Sequence, residues 1–164
     1  MKLYALDGNN QKFYYAQILN DKAPYYLDFV HISEMRTKPL LIGDYCKLLR
    51  SENLKRKYIY DSSPTFSLKG FESLIKILVS QSEEIVELHF ENRLFYTVVP
   101  KLRHFTDRFN WSLLAQELPA DIHFFRDSIY ATGALVTQEF KDICDKNKLK
   151  GMVFRLEYDS EATP

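Results

Sequence analysis

The stretch from Ile122 to Tyr158 constrains the fold most. It reads IHFFRD, a short loop, ALVTQEFKDICDKNKLKG, then MVFRLEY. Thr137 is placed to cap a helix that carries Phe140, Ile143 and Cys144 on one face. Glu139 in the first turn and Lys146 and Lys148 near the end suit the helix dipole, and Gly151 is placed for a C-terminal stop. Ile122–Phe125, the apolar run Tyr130–Val136 and Met152–Tyr158 read as strands. The unit is strand, capped helix, glycine, strand, and nothing in it reads as a catalytic centre.

The middle of the chain uses the same grammar. Ser67 is placed to cap a helix on which Leu68, Phe71, Leu74, Ile75, Leu78 and Val79 recur at three- and four-residue steps. Gly70 weakens its first turn. A strand over Ile85–Phe90 alternates Val86, Leu88 and Phe90 with Glu87 and His89, and a second runs from Arg93 to Val99 before Pro100. Identity between the two units is low, so they read as one strand–helix–strand theme used twice, since a solenoid needs at least three copies.

Elsewhere, Lys2–Leu6 reads as a first strand ended by the turn Asp7-Gly8-Asn9-Asn10, and Lys12–Leu19 as a second. Asn20–Pro39 reads as a loop packed on the core, Gly43–Arg50 as a short helix, and Tyr58–Tyr60 as a strand stopped at Asp61-Ser62-Ser63-Pro64. Trp111–Leu118 reads as a short helix closed by Pro119. With 12 Phe, 11 Tyr and 46% hydrophobic residues in 164, the chain has material for sheet and a core. The expected class is α+β, a mostly antiparallel sheet with helices packed on it, in a single domain over residues 1–160 with a polar tail at 161–164.

Charge balances at 22 basic and 22 acidic residues, which argues against a dedicated nucleic-acid binder. The 2 cysteines, Cys46 and Cys144, form no CxxC pair. The 4 histidines, His31, His89, His104 and His123, fall in no HExxH or similar metal spacing, and neither a Walker loop nor a GxSxG elbow occurs. No catalytic, metal or cofactor residues are therefore expected. The N-terminal MKLYALDGNN lacks a signal-peptide core and no apolar run approaches the ~20 residues of a membrane span, so a cytoplasmic location is expected.

Three charged stretches remain. Glu83, Glu84, Glu87 and Glu91 are acidic; Lys47, Arg50, Lys55, Arg56 and Lys57 are basic; Lys101–Phe109 interleaves basic and aromatic residues, as single-strand nucleic-acid binders do.

These residues resemble a bacterial immunity-protein family, long catalogued as a domain of unknown function and encoded beside polymorphic toxins and type VI secretion effectors. The resemblance rests on Phe124-Phe125-Arg126, on Val136-Thr137-Gln138-Glu139-Phe140-Lys141 opening a helix, and on Leu149-Lys150-Gly151-Met152-Val153-Phe154 leading into the last strand. In the middle, Ser67–Leu78, Val86–Phe90, Leu94–Val99 and Asp107 match the family's order. Thr106-Asp107 stands where the family has "LD", and the proline before the tyrosine strand is absent.

The resemblance implies a protein that binds and occludes a cognate toxin or effector, encoded by an adjacent gene, without catalysis, cofactor or metal. A homodimer is compatible with it; a membrane is not expected. The candidate partner-binding residues are Glu83, Glu84, Glu87 and Glu91, with Tyr14, Tyr15, Tyr25 and Tyr26 from the half where the resemblance is weakest. The competing readings are a generic protein- or nucleic-acid-binding adaptor, and a small hydrolase using Cys46 or a histidine.

Overall fold

The computed structural model describes residues 1–9, 13–19, 23–30, 41–49, 63–103, 110–127 and 133–162. The first strand, β1 (Lys2–Gly8), is buried on both faces: Leu3 and Ala5 point into one core, Tyr4 and Leu6 into another. That explains why KLYALDG does not alternate apolar with polar residues. β1 pairs antiparallel with β9 (Ala134–Thr137) on one side and β10 (Met152–Asp159) on the other, and β8 (Phe124–Phe125) pairs with β9. The sheet order is β10-β1-β9-β8.

A second sheet closes on itself. Its strands are β2 (Tyr15–Ile18), β3 (Tyr25–Val30), β4 (Tyr45–Leu49), β5 (Pro64–Ser67), β6 (Ser82–Phe90) and β7 (Arg93–Pro100), in the order β2-β3-β6-β7-β5-β4. β2 closes the ring against β4 in parallel, β3 pairs with β6 in parallel, and the other pairs are antiparallel. The class is therefore α+β and mostly antiparallel, but one sheet is a closed six-stranded barrel rather than an open layer. Ala16, Ile18, Leu27, Phe29, Leu48, Val86, Leu88 and Phe95 fill its interior.

Among the described residues three helices complete the layers. α1 (Leu68–Gln81) and α3 (Gln138–Lys146) join the barrel to the four-stranded sheet, in a core that includes Phe66, Phe71, Leu74, Leu78, Val98, Phe124 and Phe140. Phe124 and Phe140 stack at 5.7 Å between ring centres. α2 (Trp111–Glu117) covers the sheet's other face with Leu114, over Leu3, Ala5, Phe125 and Leu135. β5 leads into α1 and α1 into β6, and β5 and β6 both flank β7; β9 leads into α3 and α3 into β10, and both strands flank β1. Among the described residues no helix is long and apolar enough to cross a membrane.

Several sequence expectations are corrected. Gly43–Arg50 is not a helix: Tyr45–Leu49 is a strand with neighbours on both sides, and its residues alternate, Tyr45 outward into the helix core and Cys46 and Leu48 into the barrel. Asn20–Pro39 is not all loop, because Tyr25–Val30 is a strand whose Tyr25, Leu27 and Phe29 point inward. Pro64 opens β5 instead of stopping a strand; the start of a strand tolerates the missing N–H. The expected strand Tyr58–Tyr60 lies outside the described residues.

The buried face of α1 is also rotated from expectation. Phe71, Leu74 and Leu78 are buried as expected, but so are Ile77 and Gln81, while Leu68, Ile75 and Val79 are 40%, 44% and 58% exposed. Gln81 sets the rotation. Its Nε2 donates to the Asp121 carbonyl at 2.6 Å, and its Oε1 accepts from the His123 and Phe124 amides at 2.8 Å each. Three buried or half-buried backbone groups would lose their partners if the helix turned.

Gly70 has a packing reason that propensity misses. A methyl group there would lie 2.5 Å from the Asp44 carbonyl oxygen. In an open helix alanine is favoured over glycine by about 1 kcal/mol. The close approach reverses the sign, so Gly70→Ala lowers the urea midpoint of unfolding. A raised midpoint would show that the Asp44 backbone gives way.

Candidate functional site

Alternation along β3 and β6 decides which candidate residues reach the surface. Tyr25 points inward and is 7% exposed; Tyr26 points outward and is 49% exposed. In register beside Tyr26 lies His89, with the two rings tilted at 5.7 Å between centres. His89 Nε2 lies 3.1 Å from Glu87 Oε1 on the same outer row. Opposite Glu87 on β7 is Tyr96, which stacks on Phe71 of α1 at 4.2 Å. Burial, and then the Glu87 and Glu72 carboxylates, raise the Tyr96 phenol above its ordinary value. The outer face of β3, β6 and β7 thus carries two aromatic rings and an imidazole among carboxylates, with exposed Asp28 further along the row of Tyr26.

The other candidates are dispersed. Glu83 acts as a brace: its Oε1 accepts from the Leu102 amide at 3.2 Å and its Oε2 lies 3.4 Å from Arg126 Nη2. Arg126 is itself buried and donates from Nε to the Pro100 carbonyl at 3.0 Å. Glu84 is half-buried opposite Val99, next to an irregularity in the β6–β7 register. Glu91 sits exposed at the β6–β7 turn with φ 50°. Tyr14 packs partly against the barrel core. Tyr15 is half-buried, and burial followed by the Asp7 carboxylate raises its phenol. The four glutamates and four tyrosines therefore form no single patch; of them, Tyr26 and Glu87 share one neighbour, His89.

The basic stretch contributes Lys47, which pairs with Asp7 at 2.5 Å; Arg50, Lys55, Arg56 and Lys57 lie outside the described residues. In Lys101–Phe109, Lys101 donates to the Ser80 carbonyl at 2.7 Å and residues 104–109 lie outside the description, as do His31 and His104.

One cluster has no counterpart in the sequence reading. Thr137 was expected to cap α3 with its side chain, but its Oγ1 lies 3.0 Å from His123 Nδ1 and makes no cap bond. His123 Nε2 lies 3.4 Å from Glu139 Oε2. The three line a shallow cleft of about 230 Å3 together with Lys2 and Gln138. Only the fold sets His123 beside the start of α3, so no local motif announces the cluster. Among the described residues no group of three or more His, Cys, Asp or Glu is placed to hold a metal.

Both cysteines are buried, and burial pushes each thiol up to about 12. At pH 8 roughly one thiol in ten thousand is then ionised, and thiolate is the reactive form. Both cysteines should resist a chromogenic disulfide reagent at pH 8 and react on unfolding in urea; fast reaction in the folded protein would contradict this environment.

Compared with protein-family models, with curated proteins and with solved structures, the chain matches none.

Proposed function

We propose that this chain is a non-catalytic cytoplasmic immunity protein that binds a cognate bacterial toxin or effector and occludes it, using the outer face of β3, β6 and β7. The observation that carries the reading is Tyr26, half exposed and against His89, whose imidazole in turn lies beside Glu87. A rigid aromatic side chain loses little entropy on binding, and tyrosine is enriched among the residues that dominate interface energies. The surrounding carboxylates favour a basic patch on the partner and speed encounter with it. Zero net charge on the chain leaves such steering to local groups. The frame behind the face reads as one strand–helix–strand theme used twice, which is supported by each helix joining two strands that flank a common partner.

The test is co-expression with the product of the adjacent gene. Toxicity of that product should be suppressed by this chain. Tyr26→Ala and Glu87→Lys should each weaken the purified complex by about thirtyfold or more, the scale of an interface hot spot. Glu83→Lys should instead destabilise the fold, because it breaks the brace to Arg126. Undiminished toxicity in the presence of this chain would end the immunity reading for that pair.

The arrangement of Thr137, His123 and Glu139 favours a second reading, a small hydrolase, since hydroxyl, imidazole and carboxylate follow the order of a nucleophile, base and orienting acid. It requires measurable ester hydrolysis that His123→Gln abolishes. Hydrolysis at the buffer rate, or unchanged in that variant, removes it.

A further inference from the structure

We infer that the cavity at the mouth of the barrel binds a soluble small molecule with an anionic head on a short apolar body. The cavity holds about 380 Å3, where β4 begins, β5 passes into α1 and the β6–β7 hairpin turns back. Barrel mouths commonly hold ligand sites, and this volume is at the small end of their range.

Its walls are chemically divided. Ile42, Leu94 and Phe95 supply an apolar wall, and Phe95 is continuous with the barrel core. Lys69 and Arg93 line the same space from α1 and from the hairpin, and both are exposed. The Arg93 guanidinium lies over the Phe90 ring, 5.9 Å from its centre, which favours one position for it. Asp44 also faces the cavity, but its carboxylate is engaged in the wall: it accepts from Ser67 Oγ and from the Lys150 amide at 3.0 Å each. Lys69 lies 3.7 Å from Asp44, a loose contact with a 57% exposed ammonium side chain. Two cations and one carboxylate thus line the space, and the wall already uses the carboxylate. An anionic head in this space meets the opposite charge of Lys69 and Arg93, while its apolar body lies on Leu94 and Phe95. A cationic head meets two like charges instead. The wall is preset by backbone and cap hydrogen bonds, so little ordering is needed on binding.

None of Tyr26, Glu87 and His89 lines the cavity, so the inference stands or falls separately from the immunity reading. The experiment is titration calorimetry of the folded chain with octanoate, octyl phosphate and octylamine, each below its micelle concentration. Both anions should bind at one site and octylamine should not. Arg93→Gln and Lys69→Gln should each weaken octyl phosphate about tenfold, the scale of one charge-assisted contact, with the urea midpoint unchanged. Failure of both anions to bind, equal binding of octylamine, or full affinity in both variants would overturn the assignment. Capture by phosphatidylglycerol vesicles without binding of the free amphiphiles would overturn it in favour of a membrane surface.

Discussion

The structure depends on one junction, centred on Asp44. Its carboxylate accepts from Ser67, the residue that caps α1, and from the Lys150 amide at the approach to β10. Its backbone amide donates to the Lys150 carbonyl and its carbonyl accepts from Ser67. A single residue thus fastens the barrel, the start of the long helix and the four-stranded sheet. The approach is close enough to dictate glycine at neighbouring positions. A side chain at Gly151, which has φ 98°, would lie 2.3 Å from the Tyr45 carbonyl oxygen, and Gly70 meets the Asp44 carbonyl in the same way. Backbone fits against backbone here.

Around that junction three cores share strands. β1 sends residues to the helix core and to the α2 core; β4 and β7 send residues to the helix core and to the barrel interior. A strand with both faces buried cannot leave one core without disturbing the other. Gln81 supplies the polar counterpart of this sharing, since its amide at the last turn of α1 bonds backbone groups of Asp121, His123 and Phe124. Its satisfied hydrogen bonds explain how a polar side chain is tolerated at 6% exposure.

Much of this was legible in the sequence, and what was not has definite causes. α1, α3, β6 and β7 are long or strongly periodic, and capping residues mark both helices, so their existence followed from local pattern. β3 and β4 did not: each is short, and each is a strand because its neighbours complete a closed ring. The spacing of Tyr45, Leu48 and Leu49 suits a helical face until β2 and β5 are known to flank it. The acidic cluster was visible as composition, but its division into a brace at Glu83, a turn at Glu91 and a surface carboxylate at Glu87 follows from register and tertiary contacts. Thr137 kept its place at the start of α3 but gave its hydroxyl to His123, a partner only the sheet brings near.

The outer row of Tyr26, Glu87 and His89 belongs to none of the three cores. Inward neighbours Tyr25, Val86 and Leu88 hold the strands in place without them. Substitutions along that row therefore change the outer surface while leaving the packing of all three cores in place. The interior of the barrel and the surface it displays are thus set by different residues of the same strands.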